Sequence, residues 1–207
     1  MSRYVFAACL TIVAFMIKVR GDDSTPTASV RGRIVAENSK PLPEMIVFLE
    51  ATEPGRQFPA PTKRAVISQN GAQFSPSLLV VSVGQTVEFP NDESKPIEHN
   101  VFSQSPVKTF DLGLFRPPES KKVTFEKPGP VRLFCSIHRY MDGLIYVCPT
   151  PFFAKVDAEG NYAISGIPPG EYRIRTWQRK QRYTDKEAVV KLEIGGDVTT
   201  NMELTRK

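Results

Sequence analysis

Four side chains of this 207-residue sequence have the types and the spacing of a metal site. Cys135, His138 and Met141 follow one another at Cys-x2-His-x2-Met spacing, directly after an apolar run that predicts a strand. His99 lies upstream, and the sequence holds only these two histidines. A thiolate, two imidazoles and a weakly bound thioether are the ligands of a mononuclear blue-copper site. The sequence therefore predicts that these four residues bind one type 1 copper ion.

Other uses of the same side chains stay open at this point. Zinc takes cysteine and histidine ligands with water in some sites, although the thioether of Met141 is not a zinc ligand. Met141 could instead be an ordinary core residue. In an oxidising compartment Cys135 and Cys148 could form a disulfide. We expect them at opposite ends of one hairpin, too far apart to bond, so Cys148 is predicted to be a buried apolar residue.

The pattern of short apolar runs predicts an all-β protein. No segment keeps a helical apolar period, and seven or eight strands are expected between Ala65 and Cys148. That density favours a sandwich with Greek-key connections. Beyond Pro149 the turns and alternating runs predict a second, smaller β-sandwich. Residues 52–64, rich in proline and charge, are interpreted as a linker.

The amino terminus predicts export. Arg3 precedes an apolar stretch from Tyr4 to Ile17, which is typical of a helical signal peptide over residues 1–21, with cleavage before Asp22. An uncleaved membrane anchor is the alternative. Residues 1–21 carry three of the 27 basic residues, so the remainder has 24 basic against 22 acidic groups, and this balance excludes a nucleic-acid-binding signature. We expect a periplasmic or secreted protein.

Residues 62–148 resemble the cupredoxins of the plastocyanin, azurin and amicyanin type. The motifs that carry the resemblance are Phe74-x-Pro76, VSVGQTVEFPN, His99-Asn100-Val101 and the closing Cys-x2-His-x2-Met loop. Phe-Asp-Leu-Gly at 110–113 is similar to copper proteins associated with methylamine utilisation in bacteria. One departure is Arg139, which stands where the family usually has proline after the loop histidine.

The cupredoxin resemblance implies roles for the site residues. His99, Cys135 and His138 would form a trigonal plane around copper, and Met141 would be the long axial ligand. Asn100 would tie the two ligand-bearing segments together by hydrogen bonds. Electrons would enter and leave through the solvent-facing edge of His138.

Two further segments resemble the two parts of a carboxypeptidase regulatory-like (transthyretin-like) domain. Residues 150–207 carry VDAEGNYAISGIPPGEYRIRTW, and residues 28–55 carry GRIV and KPLPEMIVFLEA. The resemblance implies a discontinuous sandwich with the cupredoxin domain inserted in one loop, and no peptidase activity. It predicts that strands of residues 30–51 pair with strands of residues 152–205.

These observations favour a monomeric electron carrier that serves a protein redox partner. The alternative is a non-redox copper-binding or surface-accessory module for copper storage, delivery or adhesion. An enzyme is not expected, because two histidines cannot supply a second copper centre and the sequence lacks HExxH and GxSxG motifs. A basic run near the single tryptophan is interpreted as a solvated surface rather than a nucleic-acid patch; it consists of Arg173, Arg175, Arg179, Lys180 and Arg182.

Overall fold

The computed structural model describes residues 27–37, 42 and 44–207. The regular structure of this part of the chain is entirely β, as the sequence predicts. Its strands, in chain order, are β1 (Ala28–Ala36), β2 (Met45–Ala51), β3 (Ala65–Val66), β4 (Ser68–Gln69), β5 (Phe74–Ser75), β6 (Leu78–Ser82), β7 (Thr86–Pro90), β8 (His99–Ser105), β9 (Lys108–Phe115), β10 (Ser120–Thr124), β11 (Gly129–Phe134), β12 (Asp142–Cys148), β13 (Phe153–Lys155), β14 (Asn161–Ile167), β15 (Gly170–Gln178), β16 (Glu187–Leu192), β17 (Asp197–Thr199) and β18 (Met202–Leu204).

The predicted signal peptide and its helix, residues 1–21, lie outside the described residues, and so does the predicted cleavage before Asp22. Within the part that is described, no helix has both the length and the apolar character needed to cross a bilayer.

Strands β3 to β12 form what we call the central unit, residues 65–148. One sheet has the order β10-β7-β3, and the other has the order β6-β12-β11-β8-β9. One buried cluster draws side chains from both sheets, among them Phe89 from the first and Leu133 from the second. β10 belongs to the first sheet, whereas β9 and β11 belong to the second. The connections from β9 to β10 and from β10 to β11 therefore cross between the sheets, as in a Greek-key sandwich. Strands β5 and β9 were not predicted.

Alternation along β11 decides which side chains face the interior. Val131 and Leu133 are fully buried, Arg132 between them is exposed, and Cys135 continues the buried side just past the strand end. Burying each of the two apolar side chains contributes roughly 1.5–3 kcal/mol. A slip of one residue would expose both and turn the thiol outward, so the same alternation that builds the core also directs Cys135 inward.

Strands β1, β2 and β13 to β18 form what we call the flanking unit. One sheet has the order β14-β1-β17 with β18 also on β1, and the other has the order β13-β2-β15-β16. β1 pairs antiparallel with β14, and β2 pairs antiparallel with both β13 and β15. The amino-terminal strands therefore pair with the carboxyl-terminal ones across the central unit, which confirms the predicted discontinuous sandwich. The domain boundaries themselves stay a prediction.

A separate apolar cluster joins the two units. It contains Phe48 of the flanking unit with Tyr146 and Cys148 of the central unit, and the rings of Tyr146 and Trp177 lie 4.3 Å apart. Burial raises the pKa of the Cys148 thiol. Both Cys135 and Cys148 are free, and they lie beyond opposite ends of the β11–β12 pairing, so the disulfide alternative is excluded and Cys148 is buried as predicted.

Residues 52–64 connect β2 to β3 without a strand of their own, and this predicted linker packs against the flanking unit. Phe58 packs edge-on against Phe152 with ring centroids 4.9 Å apart. The guanidinium of Arg56 donates to the carbonyl of Pro169 at 2.9 Å and lies over the ring of Tyr172. Phe58 and Arg56 thus attach this proline-rich segment to the flanking unit.

Candidate metal centre

Three of the four predicted ligands converge at one end of the central unit. His99 opens β8, Cys135 follows β11, and His138 lies in the loop that leads to β12. Their donor atoms all lie within 4.8 Å of one another. The Nδ1 atoms of His99 and His138 are 3.1 Å apart, and the Cys135 Sγ lies 3.7 Å from the His138 Nδ1.

The sheet explains why residues remote in sequence meet here. β8 and β11 are neighbours, paired through Phe102 and Phe134, whose rings also lie 5.7 Å apart. Phe134 is also paired with Asp142, which closes the base of the loop that carries Cys135 and His138. The start of β8 and the end of β11 therefore lie side by side, and the loop folds over them.

Met141 is buried at the far end of the same loop. Its backbone N–H donates to the carbonyl of His138 at 3.0 Å, and its side chain belongs to the same core cluster as Cys135. Met141 therefore shares the loop of His138 and the core cluster of Cys135. Its role as the fourth ligand stays a prediction.

A buried carboxylate supports His99, and the sequence analysis missed it. The Nε2 of His99 lies 2.8 Å from Oε1 of Glu93, whose side chain is only 6% exposed, while His99 itself is fully buried. The same oxygen accepts the backbone N–H of Ala72 at 2.8 Å. The Ala72 amide, followed by the His99 imidazole, holds the pKa of the Glu93 carboxyl below its usual value. A proton on Nε2 leaves the Nδ1 lone pair of His99 free for a metal.

Asn100 joins the two ligand-bearing segments, which is the role that the cupredoxin resemblance implies. Its Oδ1 accepts the backbone N–H of Ser136, the residue after Cys135, at 3.0 Å. Its Nδ2 donates to Asp111 at 2.6 Å. The strand of His99 and the loop of Cys135 are therefore connected through one buried amide side chain.

The site reaches solvent on one side. His99 and Cys135 are buried, whereas His138 is half-buried. Around it Ile137 is 50% exposed and Tyr140 is 71% exposed, with the Tyr140 ring centroid 6.0 Å from that of His138. The His138 side of the site is therefore accessible from outside.

The donor set fits one transition-metal ion. Two donors that share a first-row metal at about 2.0–2.3 Å each lie roughly 3–4 Å apart. The distances from His138 Nδ1 to His99 Nδ1 (3.1 Å) and to Cys135 Sγ (3.7 Å) fall in that range. Two Nδ1 atoms facing each other at 3.1 Å need a proton or a cation between them. A thiolate with two imidazoles suits copper, and zinc accepts the same donors with an added water.

The basic run is largely matched by acidic neighbours. Arg175 lies 3.2 Å from Glu50 and 3.5 Å from Glu187, and Arg179 lies 2.8 Å from Asp142. Carboxylates of both units therefore neutralise part of the positive charge of this run. The interpretation of this run as a solvated surface, rather than a nucleic-acid patch, stays a prediction.

No family model matches the sequence. Among solved structures, a purple cupredoxin from Nitrosopumilus maritimus is 27% identical, with an alignment that covers 40% of this chain and 98% of that one at a TM-score of 0.37. A mutant of amicyanin in a Cu(I) form is 21% identical, covering 41% of this chain and 81% of that one, also at a TM-score of 0.37.

A Cu-containing nitrite reductase, NirK, from Thermus scotoductus SA-01 is 30% identical, with a TM-score of 0.39. That alignment covers 47% of this chain and 25% of the enzyme, so this chain matches about a quarter of it. Each likeness spans less than half of this chain, and the case for copper therefore depends on the donor atoms themselves. The regulatory-like resemblance of the flanking unit stays a prediction.

Proposed function

We propose that this chain is an exported type 1 copper protein that transfers single electrons between protein redox partners. The observation that carries the proposal is the convergence of one sulfur and two imidazole nitrogens from His99, Cys135 and His138 within 4.8 Å. Copper bound there supplies a one-electron couple, and soft sulfur with imidazole suits both of its oxidation states. Met141 is the proposed axial ligand, and export follows from the predicted signal peptide.

The protein holds these donors in place by its own hydrogen bonds. Glu93 fixes the ring of His99, and Asn100 fixes the loop after Cys135. The bond from Met141 N–H to the His138 carbonyl closes the loop on itself. Donors that are already ordered move little when the charge of the site changes, and this favours rapid electron exchange.

His138 is the proposed point of electron exchange. Of the three donors it alone is partly exposed, and the exposed side chains of Ile137 and Tyr140 lie beside it. A protein partner that covers this edge brings its own redox centre within reach of the copper ligand. Arg139, exposed in the same loop, adds a positive charge that an acidic group of the partner could match.

An electron carrier is favoured over a copper enzyme. Both histidines of the sequence are used in one site, so no imidazole is left for a second copper centre.

The test is an absorption spectrum and a redox titration of copper-loaded protein. We expect an intense visible thiolate-to-copper band that bleaches reversibly on reduction. Cys135→Ser removes the band, whereas the matched control Cys148→Ser, at a buried cysteine of the unit junction, keeps it. A colourless protein that retains Cu(I) and hands it to a chelator would instead support copper storage or delivery, and retention of zinc in place of copper would also overturn the proposal.

A further inference from the structure

We propose that Asp111 is a positioning residue for the copper thiolate, acting through Asn100. The inference rests on the proposed function, because it concerns the same metal site. Asp111 belongs to the Phe-Asp-Leu-Gly stretch at 110–113, which the ligand set leaves unexplained. It is itself exposed and is not a ligand.

The contacts form a chain from Asp111 to the thiolate loop. Oδ1 of Asp111 accepts Nδ2 of Asn100 at 2.6 Å. Oδ1 of Asn100 in turn accepts the N–H of Ser136 at 3.0 Å. Ser136 follows Cys135 directly, and Asn100 follows His99 directly. These two hydrogen bonds therefore link Asp111 to the segment of His99 and to the segment of Cys135.

A bulge in the β8–β9 pairing directs the carboxylate toward Asn100. Asn100 is paired with Leu114 and Phe102 with Asp111, so three steps along β9 face two steps along β8. Gly113 has a φ of 66°, which glycine adopts without strain, and its N–H donates to Asp111 Oδ1 at 2.8 Å. The aspartate and the glycine of the motif thus build one local structure.

The chemistry of the Asn100 amide explains why a carboxylate is needed. Asn100 is 2% exposed, and its oxygen must face the Ser136 N–H, so its amino group must find an acceptor. Within the described part of the chain, the acceptor of this amino group is the carboxylate of Asp111. A charged acceptor makes a shorter and stronger bond than a neutral one. Asp111 therefore fixes the rotamer of Asn100, and through it the position of the loop that presents the sulfur.

The experiment compares copper binding and the visible band in full-length wild type and variants. Asp111→Ala should lower Cu(II) affinity about 10-fold to 100-fold, the usual effect of removing a ligand-supporting partner, and should shift or broaden the thiolate band. Asp111→Asn keeps an acceptor oxygen and should recover most of the affinity. The matched control is Asp157→Ala, which removes an aspartate that also accepts a local backbone N–H but lies in the flanking unit.

A double-mutant cycle tests the route through Asn100. If Asp111 acts through that amide, Asp111→Ala has little further effect in an Asn100→Ala background. If Asp111→Ala does not fold, the fallback is hydrogen exchange at the Ser136 amide of Asp111→Asn in its Cu(I) form. This amide should exchange faster in the variant than in wild type. Wild-type affinity and band in Asp111→Ala, or unchanged exchange at Ser136 in Asp111→Asn, would overturn the inference. Absence of the band in wild type would instead count against the proposed function.

Discussion

Replacement of Glu93 by alanine removes a single oxygen that accepts two hydrogen bonds, one from His99 Nε2 and one from the Ala72 N–H, each at 2.8 Å. The Glu93 side chain is 6% exposed and His99 is fully buried, so water replaces these bonds poorly. Both partners would be left without an acceptor. The change therefore tests whether the carboxylate supports the site before any metal binds.

The magnitude follows from the two bonds. A hydrogen bond to a charged group contributes about 1.5–3 kcal/mol, so Glu93→Ala should reduce the free energy of unfolding by roughly 3–6 kcal/mol. Glu93→Gln keeps an oxygen for both donors and loses only the charge, which should cost roughly 2 kcal/mol. Since domains are stable by about 5–15 kcal/mol, the alanine variant should be clearly weakened.

Urea unfolding of the metal-free protein, followed by circular dichroism, measures the change. The control is Glu98→Ala, because Glu98 is close to Glu93 in sequence but pairs with Arg116 at the surface. Surface pairs contribute about 0–1 kcal/mol, so Glu98→Ala should be nearly neutral. If Glu93→Ala were no more destabilising than Glu98→Ala, the carboxylate would not support His99 and the reasoning would be refuted.

Two other changes have defined outcomes. Arg64 and then Ser120 lower the pKa of Glu88 from 4.5 to about 2. A carboxyl with a depressed folded-state pKa stabilises the protein above its unfolded pKa, and this stabilisation is lost as the pH falls through the folded value. The difference in free energy of unfolding between wild type and Glu88→Gln, measured by urea unfolding, should therefore reach its full size above pH 4.5 and vanish toward pH 2. A difference that does not change with pH would contradict this prediction. Cys148→Ser buries a hydroxyl in the apolar junction and should cost about 1–3 kcal/mol by thermal unfolding, while a neutral result would show that the junction admits water.

The sequence predicted the site because its chemistry is concentrated in a few rare side chains. Two histidines and the Cys-x2-His spacing left few alternatives, and the donors of His99, Cys135 and His138 do converge. The all-β class followed from alternation. The pairing of the amino-terminal with the carboxyl-terminal strands followed from the resemblance of the two segments to the halves of a regulatory-like domain. Strand β9 was missed because its burial is mixed along its length.

Unlike Asn100, the supporting residues Glu93 and Asp111 could not be predicted, because their contacts form only in the folded protein. Glu93 lies in a polar loop where most carboxylates are solvated, and only folding brings it to His99 and Ala72. Asp111 reaches Asn100 through a strand bulge that has no clear sequence pattern. Phe58 likewise lies among prolines that suggest a linker, and its packing partners come from sequence positions about a hundred residues away.

The most direct test of the copper assignment is X-ray absorption at the copper edge of protein loaded with one equivalent of Cu(II). One short copper–sulfur bond and two imidazole nitrogens are predicted, from Cys135, His99 and His138. A spectrum with only nitrogen and oxygen neighbours, or with a single imidazole, would contradict the assignment.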